Sequence, residues 1–595
     1  MTSGRAPGKR LTRRRFLGIA GVAMAAPLAA CNGSASPRPN PAGTPGPETA
    51  TPDPAASGTP RPTQEARAVA PTQGETLRMT GFVTSDRVYD PHKTQAGPFF
   101  GHQALVFSRL LAYSSQTEGT IAADIAAGLP EQPDPQTIVF TLRGNATWHN
   151  REPLFGRAVT AEDVKFSLER QINGDRSFVR RAGWLAIDKV EAQDPLHVVV
   201  KLKAPQANMV GAFAGVNAFI VPPEISSNGR TMDLDTQVGS GPFRWVEWDE
   251  GRFASVARNP NWYGGDGRPH LEGLTVLQPR DTREVEKGLR TKDLDVAVVG
   301  LPQAESLKNG IRGLQSTTFG HGLFFGMRFF TPQQPFNDPR FRTALSLGVD
   351  RRAMIDRFFA GSGEANPWVS WPLSRWTLPQ TELAKLPGYR AGKEGREADI
   401  AEARALLAAY AAEQKYVLPD GSKVGVPAEI PLFVVDEAEV TLGMGSLMKA
   451  HLKESLGLNV AILPLKVETL IARMLTGEAP WTAGPDSGWV DLDDWLFPYF
   501  HSEGSKNSFA LRDTDLDAQI AAQRAELDEA KRREIGFAIQ RRLLQINAGV
   551  NFVSERVVVV AQSYVKGFPT DATDGFQHRF ADCWIDRTDP AFRAR

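Results

Sequence analysis

The chain has 595 residues and a mass of 65.0 kDa, more than one compact core holds at roughly 100–200 residues per domain. Lys and Arg together number 68, as do Asp and Glu, so the basic excess of a nucleic-acid binder is missing. Two cysteines, Cys31 and Cys583, build neither a disulfide framework nor a cysteine-ligated zinc site.

The first thirty residues read as an address. Arg5, Lys9, Arg10, Arg13, Arg14 and Arg15 precede an uncharged run from Phe16 to Ala30, the layout of an export signal. The run is shorter than the roughly 20 residues a membrane-spanning helix needs. Thr12-Arg13-Arg14-Arg15-Phe16-Leu17 resembles a twin-arginine signal, and Leu28-Ala29-Ala30-Cys31 resembles a lipobox, with Cys31 as the lipidated residue. Cleavage there leaves a net charge of −6, because six basic residues and no acidic ones precede Cys31. Residues 32–75 hold ten prolines and no aromatic residue. Such a segment cannot bury enough apolar surface to offset its ordering entropy, and reads as a disordered tether spanning on the order of 35–40 Å.

From residue 76 the pattern becomes globular. Thr137–Leu142 alternates with Ile138, Phe140 and Leu142 on one face, a strand signal. Thr160 then caps a helix with Asp163 at its third position and a stripe of Ala161, Val164, Leu168 and Ile172. His197–Leu202 reads as a strand, and the Gly-Ser-Gly-Pro turn at 239–242 leads into another at Phe243–Trp248. Asp338-Pro339 starts a helix with Phe341, Leu345 and Val349 at helical spacing. Two further amphipathic helices carry Ile400, Ala403, Leu407 and Tyr410, then Met444, Met448, Leu452 and Leu456; the second stops at Gly457 before a strand with Leu458, Val460 and Ile462. Mixed strands and helices predict α/β or α+β lobes.

Short catalytic motifs are missing: there is no His-Glu-x-x-His, Gly-x-Ser-x-Gly, phosphate-binding Gly-x-x-x-x-Gly-Lys-Ser/Thr or Gly-x-Gly-x-x-Gly. His321 between Gly320 and Gly322 is better explained by a backbone turn than by catalysis, and Asp491, Asp493 and Asp494 lack the full calcium-loop spacing. No cofactor and no metal is expected.

Three blocks, in order, resemble the extracytoplasmic solute-binding proteins of ABC importers, specifically the peptide/nickel-binding family 5. The first is Ile138–Arg143, Trp148-His149-Asn150 and Thr160–Arg170; the second Gly239–Phe243, Val246-Glu247-Trp248 and Arg258–Tyr263; the third Pro335–Arg342 through Val349-Asp350-Arg351. The resemblance covers about residues 76–590 and implies a two-lobed, periplasmic-binding-protein-like α/β fold (type II, the large cluster with an extra subdomain) joined by a hinge. It implies lobe I at 76–113, 237–318 and 555–595, the extra subdomain at 114–236, and lobe II at 319–554. Trp148, Phe166, Trp248 and Trp262 are expected in the scaffold rather than against solute. The implied function is a lipid-anchored, monomeric receptor outside the cytoplasmic membrane that delivers a peptide or other small solute to a permease with ATPase subunits. A sensor without transport and, further off, a twin-arginine-exported enzyme are the alternatives.

In this family a Trp-x-Ala-Asp-Tyr-x-Asp-Pro segment lines the cleft, and its first Asp pairs with the α-ammonium of peptide ligands. The corresponding stretch here is Gly488–Trp495, which makes Trp489 and Asp491 candidate ligand contacts, with Asp493 as the alternative. A buried carboxylate facing a ligand cation offsets the desolvation of both charges. Leu492 and Trp495 depart from the family's Tyr and Pro, and the Trp-to-Asp interval is one residue short. Trp368, Trp371 and Trp376 crowd a Pro- and Ser-containing loop, and Trp368 and Trp371 are candidates for an aromatic wall. Gln95 and Phe99 follow Tyr89-Asp90-Pro91, a segment that enters the cleft in relatives. No cluster suited to nickel is identified.

Overall fold

The computed structural model describes residues 70–593 apart from 82, 84–88, 95–96, 116–117, 176–177, 179–180, 217, 227–231, 233–235, 266, 366–372, 437–438, 488–490 and 571–576. The expected signal, most of the tether and Cys31 lie outside the described residues.

The alternating sequence Thr137–Thr141 forms its strand with Ile138 and Phe140 fully buried. It pairs with His197–Leu202 in a four-stranded sheet completed by Glu131–Asp134 and Ile187–Asp194. The helix Ala161–Ile172 begins where Thr160 predicts, and buries Ala161, Val164 and Leu168. Asp163 does more than close the cap. It accepts from the Thr160 amide at 2.9 Å and takes both Nη atoms of Arg157 at 2.8 and 2.7 Å. The charge is thereby met inside the lobe.

A larger sheet of eleven strands runs through the whole molecule. At one end Thr76–Thr80 lies parallel to Gly273–Leu277, followed outward by antiparallel Phe253–Arg258 and Phe243–Asp249. A register shift between Trp245 and Glu247 breaks the strict alternation expected for the last strand, so that Glu247 is exposed beside Val246 and Trp248 turns toward the core. At the other end Ile430–Val435 lies parallel to both Val460–Leu465 and Trp481–Ser487.

Two long antiparallel strands, Gln315–Phe329 and Gly549–Ala561, connect the ends. Their outer halves belong to different lobes: Ala561 through Val558 pair with Val296–Val299, whereas Leu323–Phe329 pair with Trp481–Ser487. Between these halves the register is interrupted from Gly320 to Phe324. His321 falls within this interruption, in a strand irregularity and not in the expected turn. A ribbon crossing between two bodies with a local break in its ladder is a hinge geometry.

Each lobe has its own core. The first gathers Leu77, Val106, Phe107, Phe140, Trp148, Val164, Phe213 and Phe243. Phe166, Trp248 and Trp262 pack against it, as scaffold residues should. The second gathers Phe325, Phe341, Leu345, Tyr410, Met448, Leu452 and Trp481. A third cluster of Trp376, Leu492, Trp495, Ile539 and Leu543 is tied to the second by Arg342, whose guanidinium donates to Asn547 O at 3.0 Å and Phe336 O at 2.6 Å. Asp338 caps the helix Pro339–Gly348 by accepting from the Arg340 amide, as its sequence predicts.

The distant sequence blocks meet in a knot in the first lobe. His149 Nε2 lies 3.1 Å from Gly241 O, and the Gly239 amide donates to His149 Nδ1 at 3.3 Å. Nδ1 is therefore the acceptor and Nε2–H the donor. Asn259 Nδ2 donates to the same Gly241 carbonyl at 3.1 Å. A Cβ on Gly239 would sit 1.9 Å from Val106 O, so only glycine fits.

Candidate functional site between the lobes

The first lobe offers two segments to the second: the hairpin of Leu111–Ser115 with Thr120–Ala123, and the stretch through Ala207 and Asn208 into the helix Met209–Ala212. The second lobe answers with Leu373–Trp376, the start of the helix Asp493–Phe500, and residues 523–532.

Asp491 precedes that helix and accepts from the Asp493 amide at 2.8 Å. Its two carboxylate oxygens are held by Arg532, whose Nη1 and Nη2 donate at 2.9 and 2.6 Å. Burial pushes the Asp491 carboxyl up, but Arg532 outweighs it and holds the group below its usual 3.8. Arg532 Nε also donates to Gln523 Oε1 at 3.1 Å, and Gln523 Nε2 donates to Asp493 Oδ1 at 2.6 Å. Burial pushes Asp493 up to about 6 against the pull of Arg524, and the charge of Asp491 adds to the rise. The guanidinium groups of Arg375 and Arg532 lie 4.8 and 5.0 Å from the Trp376 ring centroid.

Among the described residues three bonds cross from lobe to lobe here. Asn208 Nδ2 donates to Asp493 Oδ2 at 3.1 Å, the Ala207 amide donates to Arg524 O at 2.7 Å, and Arg375 Nη1 donates to Glu118 O at 3.0 Å. Tyr113, buried in the first lobe, feels Asp491 and Asp494 across the same face; burial first, then those charges, raises its phenol.

Asp491, expected to face a ligand ammonium, has a cation from within the chain in Arg532, and this bidentate pairing offsets the desolvation of both charges. Asp493 likewise turns to Asn208 and Gln523. Trp489, Trp371, Trp368 and Gln95 lie outside the described residues; Phe99 stands on the helix Gly97–Val106, with its side chain outside them as well. Trp376 is packed in the core. Among the described residues no group of three or more His, Cys, Asp or Glu converges as a metal site.

Sequence reasoning missed Arg532, Gln523, Arg524, Asn208 and Arg375. Arg532 carried a readable signal. It shares a helical stripe with Gly536, Ile539, Gln540 and Leu543, all buried, and a lone cation on an apolar stripe calls for an internal anion.

The model for bacterial extracellular solute-binding proteins, family 5, matches residues 120–508. The chain belongs to that family. Its likeness to individual solute-binding proteins is more distant. It is 26% identical over 235 residues to the oligopeptide-binding protein AppA of Bacillus subtilis, covering 38% of this chain and 42% of AppA. It is 29% identical over 285 residues to protein XP55 of Streptomyces lividans, covering 45% of this chain and 49% of XP55. The chain thus spans less than half the length of these curated relatives. In fold it is similar to the AppA structure with a nonapeptide, with a TM-score of 0.70 at 17% identity over 87% of this chain and 100% of that one.

Proposed function

We propose that this family 5 protein is an extracytoplasmic receptor that encloses a peptide between its lobes and hands it, chemically unchanged, to the permease of an ABC importer. The observation that carries the reading is the pair of separately cored lobes, joined through a broken-register ribbon and meeting at a polar face. Capture needs no bond-making, only a solute that binds the closed arrangement better than the open one. The peptide class is supported by relatives whose names are peptide- or oligopeptide-binding.

In this reading the lobe boundaries are those the sequence implies, and Trp489, Trp371, Trp368, Gln95 and Phe99 are the candidates for the solute wall. Asp491 serves as an anchor of the lobe–lobe face, so a free α-ammonium is not required of the ligand. The leader is a twin-arginine lipoprotein signal, Cys31 carries the lipid, and the Pro-rich segment holds a monomeric body off the membrane.

Mass spectrometry of solute co-purifying with the mature protein, followed by a thermal-shift screen of a peptide library, tests the reading. A true ligand raises the melting temperature with concentration, by the equivalent of about 2.7 kcal/mol at a hundredfold excess over Kd. Peptide uptake should fall in cells lacking the gene. A flat screen together with unchanged uptake overturns the proposal.

A further inference from the structure

The three bonds across the lobe face join chain to chain, and so favour the closed arrangement whatever the solute is. Two of them share one corner. Asn208 Nδ2 reaches Asp493 Oδ2, and its neighbour's amide, Ala207 N, reaches Arg524 O. Both halves of that corner are aligned within their own lobes. On the first, Gln206 Nε2 donates to Asn208 Oδ1 at 2.9 Å, which turns the Nδ2 end of the amide outward to Asp493. The Asn208 side chain makes no capping bond to the helix Met209–Ala212. On the second, Gln523 Nε2 holds Asp493 Oδ1, Arg524 Nε lies 3.1 Å from Oδ2, and the Arg524 guanidinium rests 4.0 Å from the Phe497 ring centroid. The acceptor is thus fixed before the donor arrives, which limits the ordering entropy that closure must meet.

We propose that Ala207 and Asn208 form a clasp with Asp493 and Arg524 that sets the intrinsic open–closed balance of the receptor, making Asn208 a positioning residue for capture and not a solute contact. The clasp rests on the two-lobed receptor reading for its consequence, since apparent affinity scales with the fraction of binding-competent molecules. Loosening it lowers affinity for every ligand by the same factor. It also lets bound solute leave faster.

Amide hydrogen exchange on the solute-free full-length protein reads the clasp directly, because the Ala207 amide is itself one of the bonds. In the native chain that amide should be protected relative to an open loop. Asn208→Ala should speed its exchange about tenfold, and Asn208→Asp, which sets a like charge against Asp493, further still. Exchange in the helix Glu529–Ile546 should stay unchanged in both, which separates unclasping from unfolding. Small-angle scattering should show the Asn208→Asp protein with a larger radius of gyration. An Ala207 amide that exchanges freely in the native protein, or at one rate in all three proteins, overturns the clasp. So does an unchanged radius. These readouts concern lobe contact alone, so a failed peptide screen would leave them standing and would count against the transport reading instead.

Discussion

The knot around His149 and the lobe face around Asp491 solve the same problem, a polar group out of water, in opposite ways. In the knot everything is neutral. Burial pushes the His149 imidazole down to about 4, and its two nitrogens are satisfied by the backbone of Gly239 and Gly241. At the lobe face the balance is struck among charges: Asp491, Asp493, Arg524 and Arg532 offset one another in a network that neutral groups, Gln523 and Asn208, extend. The neutral solution is rigid and local, which suits a scaffold. The charged one can be made or released at one edge, which suits surfaces that separate and meet.

The comparison can be broken hardest at Gly239. Gly239→Ala drives a methyl into Val106 O and should cost at least about 3 kcal/mol, within the range of severe overpacking and backbone strain. Chemical denaturation should show a lower midpoint or no folded protein. Asp491→Ala comes next. It strands Arg532 in the interior and should cost about 3–5 kcal/mol, whereas an apolar replacement of both partners, Asp491→Leu with Arg532→Met, should recover most of that loss. A double variant no more stable than the single one would show that the pair does more than neutralise itself.

Acid should separate the regions by sign. The folded pKa of His149 lies below its ordinary 6.5, so its contribution is complete above pH 6.5 and is lost as pH falls toward 4. His92, with its Nε2 2.8 Å from Phe219 O, adds a second loss in the same window, burial having pushed it down to about 4. Asp493 runs the other way. Its pKa is raised to about 6, so its contribution is greatest below pH 3.8 and is lost as pH rises through 6. Melting temperature should therefore drop from pH 6.5 to 4, more steeply in Asp493→Asn and less steeply in His149→Gln. Identical slopes in all three proteins would remove these groups from the balance. The smallest effect concerns the ligand: with Asp491 already paired, free and N-acetylated forms of a bound peptide should have Kd values within about threefold of each other by calorimetry, a difference below about 0.7 kcal/mol.

Much of the scaffold was legible because its signals are local. The alternation of Ile138 and Phe140 and the caps at Thr160 and Asp338 each act within a few residues. The lobe face was not. Tyr113, Asn208, Arg375, Asp491 and Arg532 come from five separate stretches of chain, and only the path of the two crossing strands brings them together. Spacing along the sequence says nothing about such a meeting. Asp491 drew attention as a carboxylate in need of a cation, and the Glu529–Ile546 helix supplies one in Arg532, from a stretch the spacing around Asp491 does not point to.

The crossing ribbon also orders events in time. Val296–Val299 are flanked on one side by Val558 through Ala561, so the first lobe's sheet is missing a strand until residues about 260 positions further on have been made. The opening half of the sequence cannot finish its own fold while the remainder is still emerging. Whatever machinery moves this protein across the membrane meets either a completed molecule or a first lobe that is still waiting.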